Sequence, residues 1–127
     1  MPTPSPNFIL LYASSPPASA DFYETLLGRP PVEASPTFAL FALDAGLMLG
    51  LWSRASVQPA PPDGATSGAS ELGFTVEDKA AVDALHRAWT ALGLPIVQPP
   101  TLMDFGWTFT ATDPDGHRLR VFAPQGA

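Results

Sequence analysis

The side chains of this chain that could carry out chemistry are few, and none of them is a thiol. The 127 residues include two histidines, twelve acidic residues, six basic residues and no cysteine. A cysteine nucleophile, a thiolate metal site and a disulfide are therefore excluded. Glu71 and Arg120 are the notable charges, because each lies in a segment that otherwise alternates apolar residues in the manner of a strand. Glu71 could serve as a general base if apolar surroundings raised its pKa.

A second chemistry available to the chain is the stacking of aromatic side chains on a planar ligand. Alternation along the strands predicts that one face of each strand packs inward while the other lines a cavity, which on the first strand is the face of Phe8, Leu10 and Tyr12. The candidate ligand-binding residues are Phe8, Tyr12, Met48, Gly50, Trp52, Glu71, Phe105, Trp107, Arg120 and Phe122. Each aromatic pair adds about 0.5–1.5 kcal/mol beyond the burial of its area. Glycine at position 50 is expected to leave room for a planar body, and Arg120 to hold an acid group of the ligand.

Several of these residues also have an interpretation that needs no ligand. Trp107 could equally belong to a hydrophobic core, whereas Trp52, at the end of a strand beside a linker, favours ligand contact. Glu71 and Arg120 could pair with each other in a salt bridge. Trp89 lies on a helical stripe and is interpreted as packing.

Two copies of one module must position these side chains. Residues 7–52 and residues 70–124 each predict a strand, a helix and three short strands. The stretch 53–69 between them is rich in Pro, Ala and Gly and predicts a linker. The predicted class is therefore α+β, with two tandem β-α-β-β-β modules forming a curved mixed sheet around a cavity.

Both predicted helices have recognisable ends. The first is expected at about 18–27, capped by Ser15 or Ser19 and ended by Gly28. The second begins after Asp78 and ends before Gly93. Spacings of three and four mark its packed face, which is formed by Ala81, Leu85, Trp89 and Leu92.

The composition argues against several classes of function. A net charge of −6 does not suit a partner made of nucleic acid. The longest apolar run, residues 38–51, is interrupted by Asp44 and Gly46 and falls short of the roughly 20 residues of a membrane-spanning helix. No signal peptide is recognisable at residues 1–6, so a cytoplasmic protein without a membrane partner is expected.

Two motifs, in their order along the chain, resemble those of a known family. The strand and helix from Leu11 through Phe22-Tyr23 to Gly28 resemble its opening pattern, S-x-x-F-Y-x-x-x-L-G. The segment Thr112-Asp-Pro-Asp-Gly-His117 resembles its final D-P-D-G-N/H hairpin. On a duplicated module, these motifs are similar to those of the vicinal oxygen chelate superfamily, which includes glyoxalase I, bleomycin-resistance proteins and extradiol dioxygenases.

The resemblance implies a divalent metal on four cavity positions, at which this chain carries Phe8, Gly50, Glu71 and Arg120. Only Glu71 can ligate, because phenylalanine and glycine offer no side-chain donor and arginine repels a cation. A catalytic metal needs about three protein ligands. We therefore expect no metal, no other cofactor and no catalytic residue.

The resemblance then favours a metal-free binding protein that sequesters a planar aromatic molecule, phenazine- or quinone-like, as the antibiotic-resistance members of the family do. The alternative is a glyoxalase-like lyase or isomerase, or a dioxygenase-like enzyme, with Glu71 as the candidate base. A third interpretation is a regulatory module whose cavity is a dimer interface. A homodimer is expected, and the linker is long enough to permit an exchange of halves between two chains.

Overall fold

The structure is a computed structural model that describes residues 4–125 and divides into two compact units, with the division between Ala65 and Thr66. Both units have the element order β-α-β-β-β. The first unit contains β1 (Phe8–Ala13), α1 (Pro16–Leu27), β2 (Glu33–Ala34), β3 (Phe38–Ala42) and β4 (Met48–Ser53). The second contains β5 (Glu71–Thr75), α2 (Lys79–Ala91), β6 (Ile96–Met103), β7 (Gly106–Thr112) and β8 (Arg118–Pro124).

Each unit forms one four-stranded mixed sheet. The strand order is β1-β4-β3-β2 in the first unit and β5-β8-β7-β6 in the second. The first strand of each unit runs parallel to the last, and the remaining pairs are antiparallel. A parallel pair requires a long crossover, which the helix and the two middle strands supply. The predicted α+β class with two β-α-β-β-β modules is confirmed.

Each helix packs on one face of its own sheet. In the first unit, Tyr23 of α1 is fully buried and its ring lies 6.5 Å from that of Phe41 on β3. In the second unit, Trp89 of α2 packs edge-on against Phe109 of β7 at 5.3 Å, so its predicted packing role is confirmed. Alternate residues of the strands point to the opposite side of the sheet, which we call the open face.

Local signals fix both ends of α1. The hydroxyl of Ser15 accepts a hydrogen bond from the backbone N–H of Ala18 at 3.3 Å. Two prolines occupy the first turn, where a missing N–H costs nothing, so α1 begins two residues before the predicted position. The helix ends at Leu27, followed by Gly28 as predicted.

In α2 the predicted start is confirmed and one packed position is corrected. The carboxylate of Asp78 accepts a hydrogen bond from the N–H of Ala81 at 2.9 Å. The helix ends at Ala91, so Leu92 lies beyond its last turn and is exposed rather than packed. Val82 is fully buried instead. Within residues 4–125, neither helix is long and apolar enough to cross a membrane.

Candidate ligand-binding site

The open face of the first unit carries an apolar groove of about 440 Å³, which we call the aromatic groove. It is lined by Phe8, Leu10, Phe38 and Trp52. Phe8 is 46% exposed and Leu10 is 43% exposed, a large exposure for such side chains. The rings of Phe38 and Trp52 meet edge to face, with centroids 6.4 Å apart.

Strand register brings these four side chains together. Leu10 of β1 lies opposite Gly50 of β4, and Trp52 lies between Tyr12 of β1 and Phe38 of β3. Even-numbered positions of β1 and β4 thus share the open face, while Leu49 and Leu51 are buried on the other side. Tyr12 and Met48 are half-buried on the same open face. Five residues of the predicted set, Phe8, Tyr12, Met48, Gly50 and Trp52, are therefore gathered on one surface.

Gly50 forms the floor of the aromatic groove in a different way from the one expected. A Cβ atom at this position would lie 2.7 Å from Cδ2 of Leu10, 3.0 Å from Cε1 of Phe8 and 3.2 Å from Cζ of Phe38. The space that the absent side chain leaves is therefore occupied by the groove residues themselves. Three side chains converge over the strand at this position, so the expectation of a vacant floor is wrong.

The open face of the second unit carries a polar cluster centred on Arg120. Its Nε and Nη2 donate to the two carboxylate oxygens of Glu71 at 2.8 and 2.9 Å, a bidentate pair. Its Nη1 donates to Oε1 of Gln98 at 3.0 Å. The guanidinium of Arg118 approaches the same carboxylate at 4.0 Å. The interpretation in which Glu71 and Arg120 pair with each other is confirmed.

This ion pair shifts the pKa of both groups. The hydrogen bond from Arg120 lowers the pKa of Glu71, burial opposes that shift, and the charges of Arg120 and Arg118 lower the pKa further. The same hydrogen bond raises the pKa of Arg120. The expectation that apolar surroundings raise the pKa of Glu71 is wrong, because a guanidinium lies against the carboxylate. A carboxylate held in this way is a weaker base than a free one.

Two further predicted residues join this cluster. The rings of Phe105 and Phe122 meet edge to face with centroids 5.9 Å apart. The guanidinium carbon of Arg120 lies 5.8 Å from the centroid of Phe105. Phe105 belongs to the turn between β6 and β7 and is 43% exposed. Glu71, Phe105, Arg120 and Phe122 are thus neighbours on the second unit.

Trp107 lies apart from this cluster, on the side of the sheet that packs against the helix. Its Nε1 donates to Oδ1 of Asp83 on α2 at 2.8 Å. The ammonium of Lys79, also on α2, lies 4.4 Å from the centroid of the indole. Thr108, the next residue, instead points its hydroxyl toward Arg120. Since alternate residues of a strand face opposite ways, the expectation that Trp107 stacks on a ligand beside Arg120 is corrected.

Two residues that the sequence prediction missed belong to these surfaces. Phe38 lines the aromatic groove, and Gln98 accepts from Arg120. Phe38 was open to prediction, because the hairpin at residues 43–46 places positions 38 and 52 opposite each other. Gln98 could not be predicted, because the register of β6 shifts on both sides of it and alternation along the strand no longer tells which face it occupies.

The four positions that the resemblance assigns to a metal do not fit one. Phe8 contributes an aromatic ring, Gly50 has no side chain, and Arg120 is a cation, so none of the three can ligate a metal ion. The remaining carboxylate, Glu71, is already engaged by that cation. Within residues 4–125, no three His, Asp or Glu side chains are grouped so that they could hold a metal ion.

This fold and these motifs define the class of protein. Residues 5–121 match the family model of the Glyoxalase/Bleomycin resistance protein/Dioxygenase superfamily, and the chain belongs to this superfamily. It is 31% identical over 123 residues to the phenazine antibiotic resistance protein EhpR of Enterobacter agglomerans, covering 94% of this chain and 92% of that protein.

Two solved structures are similar to the chain as a whole. A protein of Agrobacterium tumefaciens, solved by solution NMR, is 52% identical with a TM-score of 0.88, covering 98% of this chain and all of that one. A glyoxalase-related enzyme of Fulvimarina pelagi has a TM-score of 0.81 at 24% identity, covering 94% of this chain and 87% of that one. The second likeness concerns the fold alone.

Proposed function

We propose that this chain is a metal-free binding protein that sequesters a planar aromatic small molecule, phenazine- or quinone-like, and in this way confers resistance to it. The observation that carries the proposal is the aromatic groove, an exposed and wholly apolar surface on an otherwise well-packed sheet. Large exposed apolar patches of this kind mark sites of binding. The similarity to a phenazine antibiotic resistance protein supports a resistance-type binding role.

The dimensions of the aromatic groove suit such a ligand. Its volume of about 440 Å³ lies within the range of about 300–1,000 Å³ that small-molecule pockets occupy. A planar ring system that covers Phe8 and Leu10 would remove their exposed area from water, at about 25 cal/mol per Å². Trp52 and Phe38 would add aromatic contacts, each of about 0.5–1.5 kcal/mol.

An enzyme that uses Glu71 as its base is less well supported by the geometry. The pair with Arg120 lowers the pKa of Glu71, whereas a general base works best with a pKa close to the working pH. The side chains at the four positions that the family resemblance assigns to a metal also do not form a site for a divalent ion. Sequestration needs neither a base nor a metal, only affinity.

Titration calorimetry with phenazine as the probe tests the proposal. We expect saturable binding that survives a chelator, and a loss of at least about tenfold in affinity in Trp52→Ala, because this removes the largest aromatic contact. Trp107→Phe is the matched control, since it changes a tryptophan on the helix side and should bind as the unaltered protein does. Circular dichroism checks that both variants are folded.

Two results would contradict the proposal. One is the lack of saturable binding by phenazine and by planar quinones. The other is conversion of the bound compound, detected when it is recovered from the protein and analysed by mass spectrometry. Unchanged compound after prolonged incubation supports sequestration over turnover.

A further inference from the structure

The sequence contains two Asp-Gly pairs, and the structure places them in very different surroundings. Asp63-Gly64 lies in the segment between β4 and β5, and Asp115-Gly116 lies in the turn between β7 and β8. In such a pair the backbone nitrogen of the glycine can attack the side-chain carboxyl carbon of the aspartate, because no Cβ atom obstructs the approach. The two pairs are chemically alike, so a difference in their reactivity comes from the fold.

The pair Asp63-Gly64 is held by little more than its own turn. Both residues are exposed, and residues 54–70 form no helix or strand. One hydrogen bond closes the turn, from the N–H of Ala65 to the carbonyl oxygen of Pro62 at 3.1 Å. In the part of the chain that the structure describes, the N–H of Gly64 has no acceptor, and the carboxylate of Asp63 contacts no donor or cation. A rotation of the backbone at Asp63 therefore costs one hydrogen bond of the turn.

The pair Asp115-Gly116 is instead held by a network of hydrogen bonds centred on Asp113. The N–H of Asp115 donates to Oδ1 of Asp113 at 2.9 Å, and the N–H of Gly116 donates to the carbonyl oxygen of Asp113 at 3.1 Å. The N–H of His117 donates to the same Oδ1 at 2.9 Å, and its carbonyl oxygen accepts from the N–H of Asp113 at 2.9 Å. Asp113 and His117 are buried, while Asp115 and Gly116 are half-buried. The rotation that brings the glycine nitrogen to the carboxyl carbon would break several of these hydrogen bonds.

We propose that Asp63 is a site of spontaneous covalent modification, at which the aspartate converts into isoaspartate. The nitrogen of Gly64 forms a bond to the side-chain carboxyl carbon of Asp63, and the amide proton and the hydroxyl of the protonated carboxyl group leave together as water. The resulting succinimide ring then takes up water at one of its two carbonyl carbons and opens. One opening restores aspartate, and the other leaves the main chain running through the side-chain carbon with the α-carboxylate free. No oxidant, reductant or metal takes part.

Isoaspartate changes the segment between the two units in a defined way. It adds one methylene group to the main chain close to the division between the units and keeps the negative charge. An exposed loop tolerates such an insertion, so we expect the fold to persist. The inference is independent of the function proposed for the aromatic groove, since neither residue of the pair lines it.

Ageing of the whole chain at neutral pH and physiological temperature tests the inference. The protein is incubated for several weeks and digested, and isoaspartate is located by peptide mass spectrometry with electron-transfer fragmentation. We expect isoaspartate to accumulate at least about tenfold faster at Asp63 than at Asp115, because the second pair must first break its hydrogen bonds. In urea the two pairs should react at rates within about twofold of each other, since unfolding removes the difference between their surroundings.

Two substitutions at the same position check the chemistry. Asp63→Asn should form the same succinimide with loss of ammonia, and should accumulate isoaspartate faster than the unaltered protein. Asp63→Glu keeps the charge but would need a larger and less favourable ring, so no isomer should form there. Equal rates at the two pairs in the folded protein, faster conversion at Asp115, or no isoaspartate at Asp63 would each overturn the assignment. An isomer at this position in Asp63→Glu would contradict the succinimide route.

Discussion

At the scale of single residues, the pairing of Glu71 with Arg120 determines what each can do. Each alone has an obvious chemical use, the carboxylate as a base and the guanidinium as an anion receptor. Two hydrogen bonds of 2.8 and 2.9 Å satisfy them mutually instead. The two residues therefore form a polar cluster on the open face of the second sheet, in which Gln98 is a further hydrogen-bond acceptor for Arg120.

The lowered pKa of Glu71 predicts a pH dependence of stability. Because the folded state holds the carboxylate ionised, Glu71 stabilises the fold above its ordinary pKa of 4.5, and this contribution is lost as the pH falls through the lower folded value. Glu71→Gln should therefore lower the free energy of unfolding at pH 7, by less than about 1 kcal/mol since the side chain is 34% exposed. Urea denaturation at pH 7, 5 and 3.5 should show the difference from the unaltered protein shrinking below about pH 5.

Glu77→Gln provides the control for this measurement. Glu77 is exposed and forms no ion pair in the described part of the chain. Its replacement should leave the free energy of unfolding within about 0.5 kcal/mol of the original at pH 7. A difference between Glu71→Gln and the unaltered protein that is the same at pH 3.5 and pH 7 would contradict the stabilising role of the ion pair.

At the scale of elements, the start of β7 depends on a backbone conformation that glycine alone adopts easily. Gly106 has φ of 142°, and a Cβ there would overlap the carbonyl oxygen of Ala123 on β8. Gly106→Ala should lower the free energy of unfolding by about 3 kcal/mol, because neither backbone can move without disturbing the ladder between the two strands. Chemical denaturation measures this loss.

Gly73→Ala, on β5, is the matched substitution. A Cβ at this position would lie 3.5 Å from Cε1 of Phe122, an ordinary contact. We expect a change of less than about 1 kcal/mol in either direction. Equal losses in the two variants would mean that the conformation of Gly106 is not what limits the start of β7.

At the scale of the whole molecule, a single chain leaves much apolar surface exposed. Outside the aromatic groove, Val32 in the first unit and Val97 and Leu102 in the second are each more than 50% exposed. Such surfaces are usually covered in a stable assembly. We therefore expect a homodimer, with a mass by light scattering of twice the chain mass of 13.4 kDa. A mass equal to one chain across the micromolar range would contradict it.

Much of the fold could be predicted because the signals are local. Ser15 and Asp78 cap helices through residues three positions away, and the hairpin at 43–46 fixes which residues of β3 and β4 face each other. The alternation of β1 and β4 is regular, so the open face of the first unit follows from counting. The aromatic groove was predictable for the same reason, with Phe38 as the one lining residue missed.

The site of the second unit was less predictable because its contacts join distant parts of the chain. Glu71 and Arg120 are 49 positions apart, and their pairing depends on β5 lying beside β8. Trp107 lies two positions after Phe105 and two positions before Phe109 in the sequence. Only the partner Asp83 on α2 reveals which face of β7 it occupies.

The sequence by itself determined the duplicated α+β module, the positions of Asp78 and Gly28 at helix ends, and the lack of metal ligands at Phe8, Gly50 and Arg120, because these depend on residue types and short spacings. Only the tertiary structure decided that the open space at Gly50 is filled by Leu10 and its neighbours, and that Glu71 and Arg120 neutralise each other. The physical reason is that charge compensation and packing are properties of pairs of side chains. Which pairs form depends on how the strands are ordered and in what register.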